Sequence, residues 1–347
     1  MNYLAKLSKQ IKIFLDVGMM SRLSLFLISF WIGCMIGTIT NAQVNKQNDS
    51  EYGPLDKAPE SILYDWPRYV APGIWSAIGA TQPPTYENSG HNNNLTIIEG
   101  SNQVLVVNAG ASFKLAEALH QWIDKNIGKP VTYVVNENGQ GHAMLGNNYW
   151  RTKKATIIAH EDAIEAFNDD AFGILQRMQN YAKEKSKGTE IVDIDIEFSD
   201  EMILDLGGRE IILKDFGPAH SPGDISVIVP DAQVIIAGDM AFHERMLPIF
   251  SDTHTGDWLE SFEHFAEYGK SMIVVPGHGR PTQMDVVDQY TRGYLIFLRS
   301  KVAALLDEGK GLSDAFLIDQ SQYEHLHTYK ELSAKNAGRV FEEMEFE

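Results

Sequence analysis

The stretch from residue 217 to 240 constrains this chain more than any other. It reads Gly217-Pro218-Ala219-His220-Ser221-Pro222-Gly223-Asp224, then an apolar run over 225–229, a Pro230-Asp231 turn, a second apolar run over 234–237, and Gly238-Asp239-Met240. Two β-branched runs around a turn predict adjacent strands of a hairpin. The open end of such a hairpin brings His220, before the first strand, close to Asp239, after the second. An imidazole beside a carboxylate at a strand end, among glycines, begins a nitrogen and oxygen metal site. The design recurs in Ile273-Val274-Val275-Pro276-Gly277-His278-Gly279, a short apolar strand that ends in a histidine flanked by glycines.

Charge and cysteine usage narrow the function. With 29 basic against 47 acidic residues the net charge is −18. That balance repels nucleic-acid phosphates and anionic lipid, so no nucleic-acid partner is expected, and a small-molecule substrate or a protein partner is. A chain of 347 residues, 44% of them hydrophobic, suffices for one large domain or two small ones. Residues 1–42 stand apart. Lys6, Lys9, Lys12 and Arg22 precede the uncharged run 23–42, which closes on Thr40-Asn41-Ala42, the layout of a secretory signal peptide. A start at Met19 or Met20 would shorten the basic part. The run is also about long enough to span a bilayer. Two readings stay open: a cleaved signal, making the protein periplasmic or secreted, and an uncleaved membrane anchor, the sole route to a membrane. Cys34, the single cysteine, lies in this run. Beyond it there is no thiol and no disulfide, so any metal must be held by nitrogen and oxygen.

Residues 43–60 are polar and without period, a linker. A globular domain is expected over 61–283. Residues 73–78, 95–98 and 104–107 read as strands, with 82–94 a loop rich in Pro, Gly and Asn. Ser112 caps a helix carrying Phe113, Ala116, Leu119, His120 and Ile123, closed by Gly128 and Pro130. Residues 131–135 and 155–159 are further strands, 161–185 a long helix, and 193–213 alternates as strands do. A helix over 257–269 follows, then a helical segment over 284–347 in two runs, 284–308 and 322–347. Its composition does not choose between a lid, a dimer surface and simple packing. Alternating strands and helices predict a layered α/β domain.

In this order the motifs resemble the metallo-β-lactamase fold superfamily over roughly residues 68–285. The matching parts are Val104-Leu105-Val106-Val107-Asn108-Ala109-Gly110, the loop ending in His142, residues 217–224, Ala237-Gly238-Asp239, and Pro276-Gly277-His278-Gly279. The resemblance implies an αββα sandwich with a metal site along one edge. The pattern breaks in the first ligand loop. Where the family shows His-x-His-x-Asp-His, this chain has Glu137-Asn138-Gly139-Gln140-Gly141-His142.

Carried over position by position, His142, Asp239 and His278 match ligands of the family's second metal position, and His220 matches one of the first. Glu137 and Gly139 replace the histidine pair of the first position, and Gly141 the aspartate of the second. The first position keeps too few ligands for tight binding. The second keeps three with room for water, the makeup of a catalytic zinc site. The resemblance thus implies one ion, zinc or, with Glu137 adding an oxygen, another divalent metal. His220 is a fourth ligand or a hydrogen-bonding neighbour. The implied reaction is hydrolysis of an ester, thioester, lactone or amide-type small substrate by ion-activated water, with Glu137 as proton shuttle. Gln140 and Asn138 are amides suited to orienting a substrate, and the loop 82–91 with Tyr86 is a candidate substrate wall. The altered loop speaks against β-lactam hydrolysis. The other reading is a catalytically inactive domain of this fold that binds a small molecule or a partner protein. His91 lies in a polar loop that the fold could bring over the site, and Asp224 is expected to pin its own loop. His120, His160, His243, His254, His264, His325 and His327 read as structural.

Overall fold

Long apolar runs in most strands leave no face for water, which requires layers on both sides of each sheet. A computed structural model describes residues 61–347; the expected signal or anchor over 1–42 and the linker over 43–60 lie outside the described residues. The first part of the domain builds β1 (Arg68–Ala71), β2 (Ile74–Ala77), β3 (Leu95–Glu99), β4 (Val104–Val107), α1 (Phe113–Asn126), β5 (Val131–Asn136), the short helices α2 (Gly141–Met144) and α3 (Asn147–Thr152), β6 (Thr156–His160), the long α4 (Glu161–Ala182) and β7 (Ile196–Phe198). The second part builds β8 (Glu201–Asp205), β9 (Glu210–Asp215), β10 (Ile225–Val229), β11 (Val234–Phe242), α5 (Thr255–Tyr268), β12 (Ile273–His278), β13 (Thr282–Gln283), α6 (Met284–Tyr290), α7 (Arg292–Asp307), α8 (Leu312–Ala315) and α9 (Tyr329–Met344).

One sheet runs β1 to β7 in sequence order; the other has the order β13-β12-β11-β10-β9-β8. The strand period of two sorts each strand's side chains between layers. In β4, Leu105 and Val107 face the space between the sheets, where they meet Val227, Val229 and Ile236 of the second sheet. Val104 and Val106 instead pack with Leu115, Leu119 and Ile123 of α1 on the outer face. The outer face of the second sheet carries Ile228, Ile235 and Val274, covered by Trp258, Phe262 and Phe265 of α5 and by Leu298, Val340 and Phe341 of the C-terminal helices. The result is the expected αββα sandwich with a helical segment packed on it.

Local signals act as anticipated at α1, where the Ser112 hydroxyl accepts the Leu115 N–H at 3.2 Å. The predicted hairpin forms, with Val227 opposite Ile236 and Val229 opposite Val234. Three expectations are corrected. The strand β1 has no counterpart in the sequence reading. The helical run 284–308 breaks at Thr291, whose hydroxyl accepts the Phe242 N–H at 2.9 Å and so ties the break to β11. The last helix starts at Tyr329, not near 322, because Thr328 takes a left-handed φ of 64°.

Candidate metal centre

The rim of the sandwich gathers the carboxyl ends of β5, β11 and β12 with the amino end of β10. Hydrogen bonds across the rim lock the two sheets together: Ile225 N–H donates to the Glu137 carbonyl at 2.8 Å, and Asn94 Nδ2 donates to the carbonyls of Pro276 and Gly279, each at 2.7 Å. Asp239 does not follow β11, as expected from the sequence, but lies inside it. The β11–β12 register shifts on both sides of Gly238, and such an irregularity re-aims the next side chain. Gly238 has φ +58°, and a Cβ there would lie 1.5 Å from Glu137 Oε2. Glycine therefore lets the Glu137 carboxylate approach and accept the Asp239 N–H at 2.7 Å. Gly277 does the same from β12, where a Cβ would stand 2.1 Å from Asp239 Oδ1.

Three candidate ligands converge. His278 Nε2 lies 3.4 Å from Asp239 Oδ1, and His142 Nε2 lies 3.7 Å from Asp239 Oδ2. Donors bound to one tetrahedral zinc stand roughly 3.3 Å apart, given bonds near 2 Å. One ligand atom each from His142, Asp239 and His278 fits within 4.8 Å of the others. Asp239 Oδ1 and His142 Nε2 are buried without any hydrogen-bond partner. Such orphans are costly in a finished interior and suit the binding of a cation.

The neighbours hold this trio in ligand form. His278 Nδ1 meets the Asn92 carbonyl, which can only accept, so the proton sits on Nδ1 and the Nε2 lone pair is free. Asn138 Nδ2 donates to Asp239 Oδ2 at 3.3 Å. His220 lies outside the trio: its Nδ1 is 3.7 Å from Asp239 Oδ2 and 3.0 Å from Gln140 Nε2, while its Nε2 is buried without a partner. The ring is wedged among Phe242, Phe250 and Trp258. Burial, and to a lesser degree the Arg245 charge, pushes His142 down to about 3, and burial with His142 and Arg245 does the same to His220. The imidazoles are therefore neutral at pH 7. Burial raises Asp239 to about 7, against the opposing pull of Arg245 and Asn138. Glu137 is raised well above the carboxylate range by burial first and Asp239 next. A buried acidic group of this kind lacks positive charge, and a divalent ion would supply it.

Two known relatives of the fold match this chain. The family model described as the metallo-beta-lactamase superfamily matches residues 142–278. Among solved structures, a metallo-beta-lactamase from Pontibacter korlensis superposes with a TM-score of 0.54 at 14% identity, covering 66% of this chain and 97% of the other. The chain therefore has the metallo-β-lactamase fold, and its residues 142–278 match the superfamily's sequence pattern.

Within that fold the altered loop has a definite place. Glu137, expected as a proton shuttle, is 1% exposed. Its Oε1 accepts from Asn108 Nδ2 at 2.7 Å and its Oε2 from the Asp239 N–H. Each oxygen accepts one hydrogen bond, Oε1 also stands 3.8 Å from His142 Nε2, and neither lines the cavity, so the geometry makes Glu137 a support behind Asp239 and His142, not a group in contact with solvent. Gln140 does line the cavity, a space of about 560 Å³ that also takes in His142, His220, Asp239 and His278. Asn138 faces Asp239 and is fully buried, away from any substrate. Of the expected wall over 82–91, Pro84 lines the cavity; Tyr86 instead donates to Glu184, with Lys185 Nζ 4.1 Å above its ring. His91 is fully buried, accepting the Tyr64 N–H on Nδ1 at 2.8 Å and facing the Ala77 carbonyl at 3.3 Å through Nε2, so it is a staple in the fold. Asp224 pins its loop as expected, accepting the Ser221 N–H and, at 2.9 Å, the Ser221 hydroxyl.

Sequence reading missed Arg245, Phe250 and the α4 side chains Ile174 and Met178, all in the cavity wall. None stands in a motif. A buried arginine six residues after the aspartate is visible only once the chain beyond β11 is seen to turn back over the rim.

Proposed function

We propose that this chain is a hydrolase that works with a single divalent ion, zinc in the first instance, held by His142, Asp239 and His278. The observation that carries this reading is the division of labour in Asp239. Its Oδ1 is unpartnered beside His278, whereas its Oδ2 is bonded by the Asn138 amide, where a bridging carboxylate would serve a second ion. The lost histidine pair supports the same count. Bound there, the ion would supply Lewis acidity, acidifying water and polarising a carbonyl. The chain's own residues do the rest. The Asn92 carbonyl fixes the His278 tautomer, Glu137 and Asn108 hold the Asp239 backbone in place, and Gln140 presents an amide at the cavity wall beside His220. The cavity suits a small molecule, and an ester, thioester, lactone or amide-type bond is the proposed point of attack. The proposed setting is the periplasm or the extracellular space, with residues 1–42 as the address or, if uncleaved, the anchor.

Elemental analysis of the purified, dialysed protein should find one equivalent of metal, and chelation should abolish turnover on one of these four substrate classes. Two equivalents or none would defeat the single-ion reading. One bound ion with no turnover on any class would favour a binding protein that has kept its metal.

A further inference from the structure

Hydrolysis at the ion leaves one buried cation in the cavity without a task. Arg245 lies in the segment just after β11, is 8% exposed and lines the cavity beside Asn92 and His278. Its Nε is buried with no partner. Its Nη1 lies 3.1 Å from His278 Nδ1, but that nitrogen already carries the proton given to Asn92 and has no lone pair to offer. Among the described residues no carboxylate comes within salt-bridge distance of the guanidinium. A guanidinium keeps its charge at neutral pH even when buried.

The backbone around Arg245 is held on both sides. His327 N–H donates to the Glu244 carbonyl at 3.1 Å and Met246 N–H to the His327 carbonyl at 3.0 Å, forming a parallel bridge. A charged fork is thus fixed in place before any ligand arrives, and a buried guanidinium with an unpartnered Nε and no carboxylate among the described residues in salt-bridge reach gains most from a planar or tetrahedral oxyanion. The rest of the wall is of the opposite character. Leu145, Ile174, Met178, Tyr181 and Phe250 present apolar surface, and Phe250 is 44% exposed. The other arginine there, Arg177, is already paired with Asp170 at 2.8 Å.

We propose that the ligand of this cavity joins an oxyanion, carboxylate or phosphate in type, to an apolar body, and that Arg245 binds the oxyanion. This rests on the same cavity being the active site and names the class of substrate that would enter it. Arg245 is then a specificity-determining residue, not a metal ligand.

Calorimetric titration of the full chain, as purified and after chelation, tests the proposal with unbranched carboxylates from acetate to decanoate, with inorganic phosphate and alkyl phosphates, and with the matching primary alcohols. Affinity should rise with chain length, and alcohols should bind at least tenfold more weakly than carboxylates of equal length. Arg245→Met should lose tenfold or more for the anions, Arg245→Lys should recover part of that, and the pattern should survive chelation. Alkyl phosphates binding tighter than carboxylates of equal length would assign the phosphate type. The proposal is overturned if alcohols match the anions, if nothing binds, or if a folded Arg245→Met variant binds anions as the parent does. Should Arg245→Met fail to melt cooperatively, Arg245→Lys and the alcohol comparison on the parent decide. Anion binding that fails while chelator-sensitive turnover persists overturns the Arg245 assignment alone, and the converse result overturns only the hydrolase.

Discussion

Gly238 shows how little freedom one position of this site has. Its φ is +58° and the space where a Cβ would go belongs to the Glu137 carboxylate. Gly238→Ala must therefore move Glu137, and with it the support of Asp239. The substitution should cost about 2–4 kcal/mol in urea unfolding and lower bound metal below one equivalent; a variant with parental metal content and stability would show that Glu137 does not hold Asp239. His91 offers a second residue-scale test, away from the metal trio. Burial depresses it from 6.5 to about 4, so between those values the folded chain binds fewer protons than the unfolded one. Its contribution is whole above pH 6.5 or so and is lost as pH falls toward 4. Between pH 7 and 5 that amounts to roughly 2 kcal/mol. Urea unfolding at the two pH values should show His91→Gln losing less stability than the parent by about that amount, and equal losses would mean that His91 is free to protonate in the fold.

At the scale of elements, the C-terminal helices do more than cover the second sheet. From α9, Asn336 Oδ1 accepts the Ile249 N–H at 3.0 Å and its Nδ2 donates to the Leu247 carbonyl at 2.7 Å. The clamped segment joins Arg245 to Phe250, so α9 sets two walls of the cavity without touching it. Of lid, dimer surface and packing, the cluster of Trp258, Leu298, Val340 and Phe341 establishes packing as a role of this segment. Asn336→Ala would leave two buried backbone groups without partners, and a loss of about 2–3 kcal/mol in chemical denaturation is expected. A loss under about 0.5 kcal/mol would mean that the loop holds its shape without the clamp.

For the whole molecule, the buried Glu137, Asp224 and Asp239 make the rim short of positive charge, since burial and mutual repulsion raise Glu137 and Asp224 well above the carboxylate range. Binding one cation should therefore stabilise the entire domain. At a hundredfold excess over Kd the gain is about 2.7 kcal/mol. Scanning calorimetry should show a transition several degrees lower after chelation and restored by stoichiometric zinc. A transition indifferent to both would deny the rim any strong affinity for metal.

What could be read from the chain alone was whatever rests on local order. Apolar runs of strand length, the Ser112 cap, the 225–237 hairpin and histidines at strand ends carry their meaning in a few adjacent residues, whereas the sandwich and the meeting of His142, Asp239 and His278 were anticipated only through the likeness of the ordered motifs to the metallo-β-lactamase fold. The tertiary structure decided everything that depends on residues far apart. It took Glu137 out of the solvent by closing Asn108 and Asp239 around it, made His91 a staple between Tyr64 and Ala77, and brought Arg245 into the cavity through a bridge to His327. The physical reason is the same in each case: burial and hydrogen-bond partners set what a charged or titratable side chain can do, and both are supplied by segments that the local sequence does not contain.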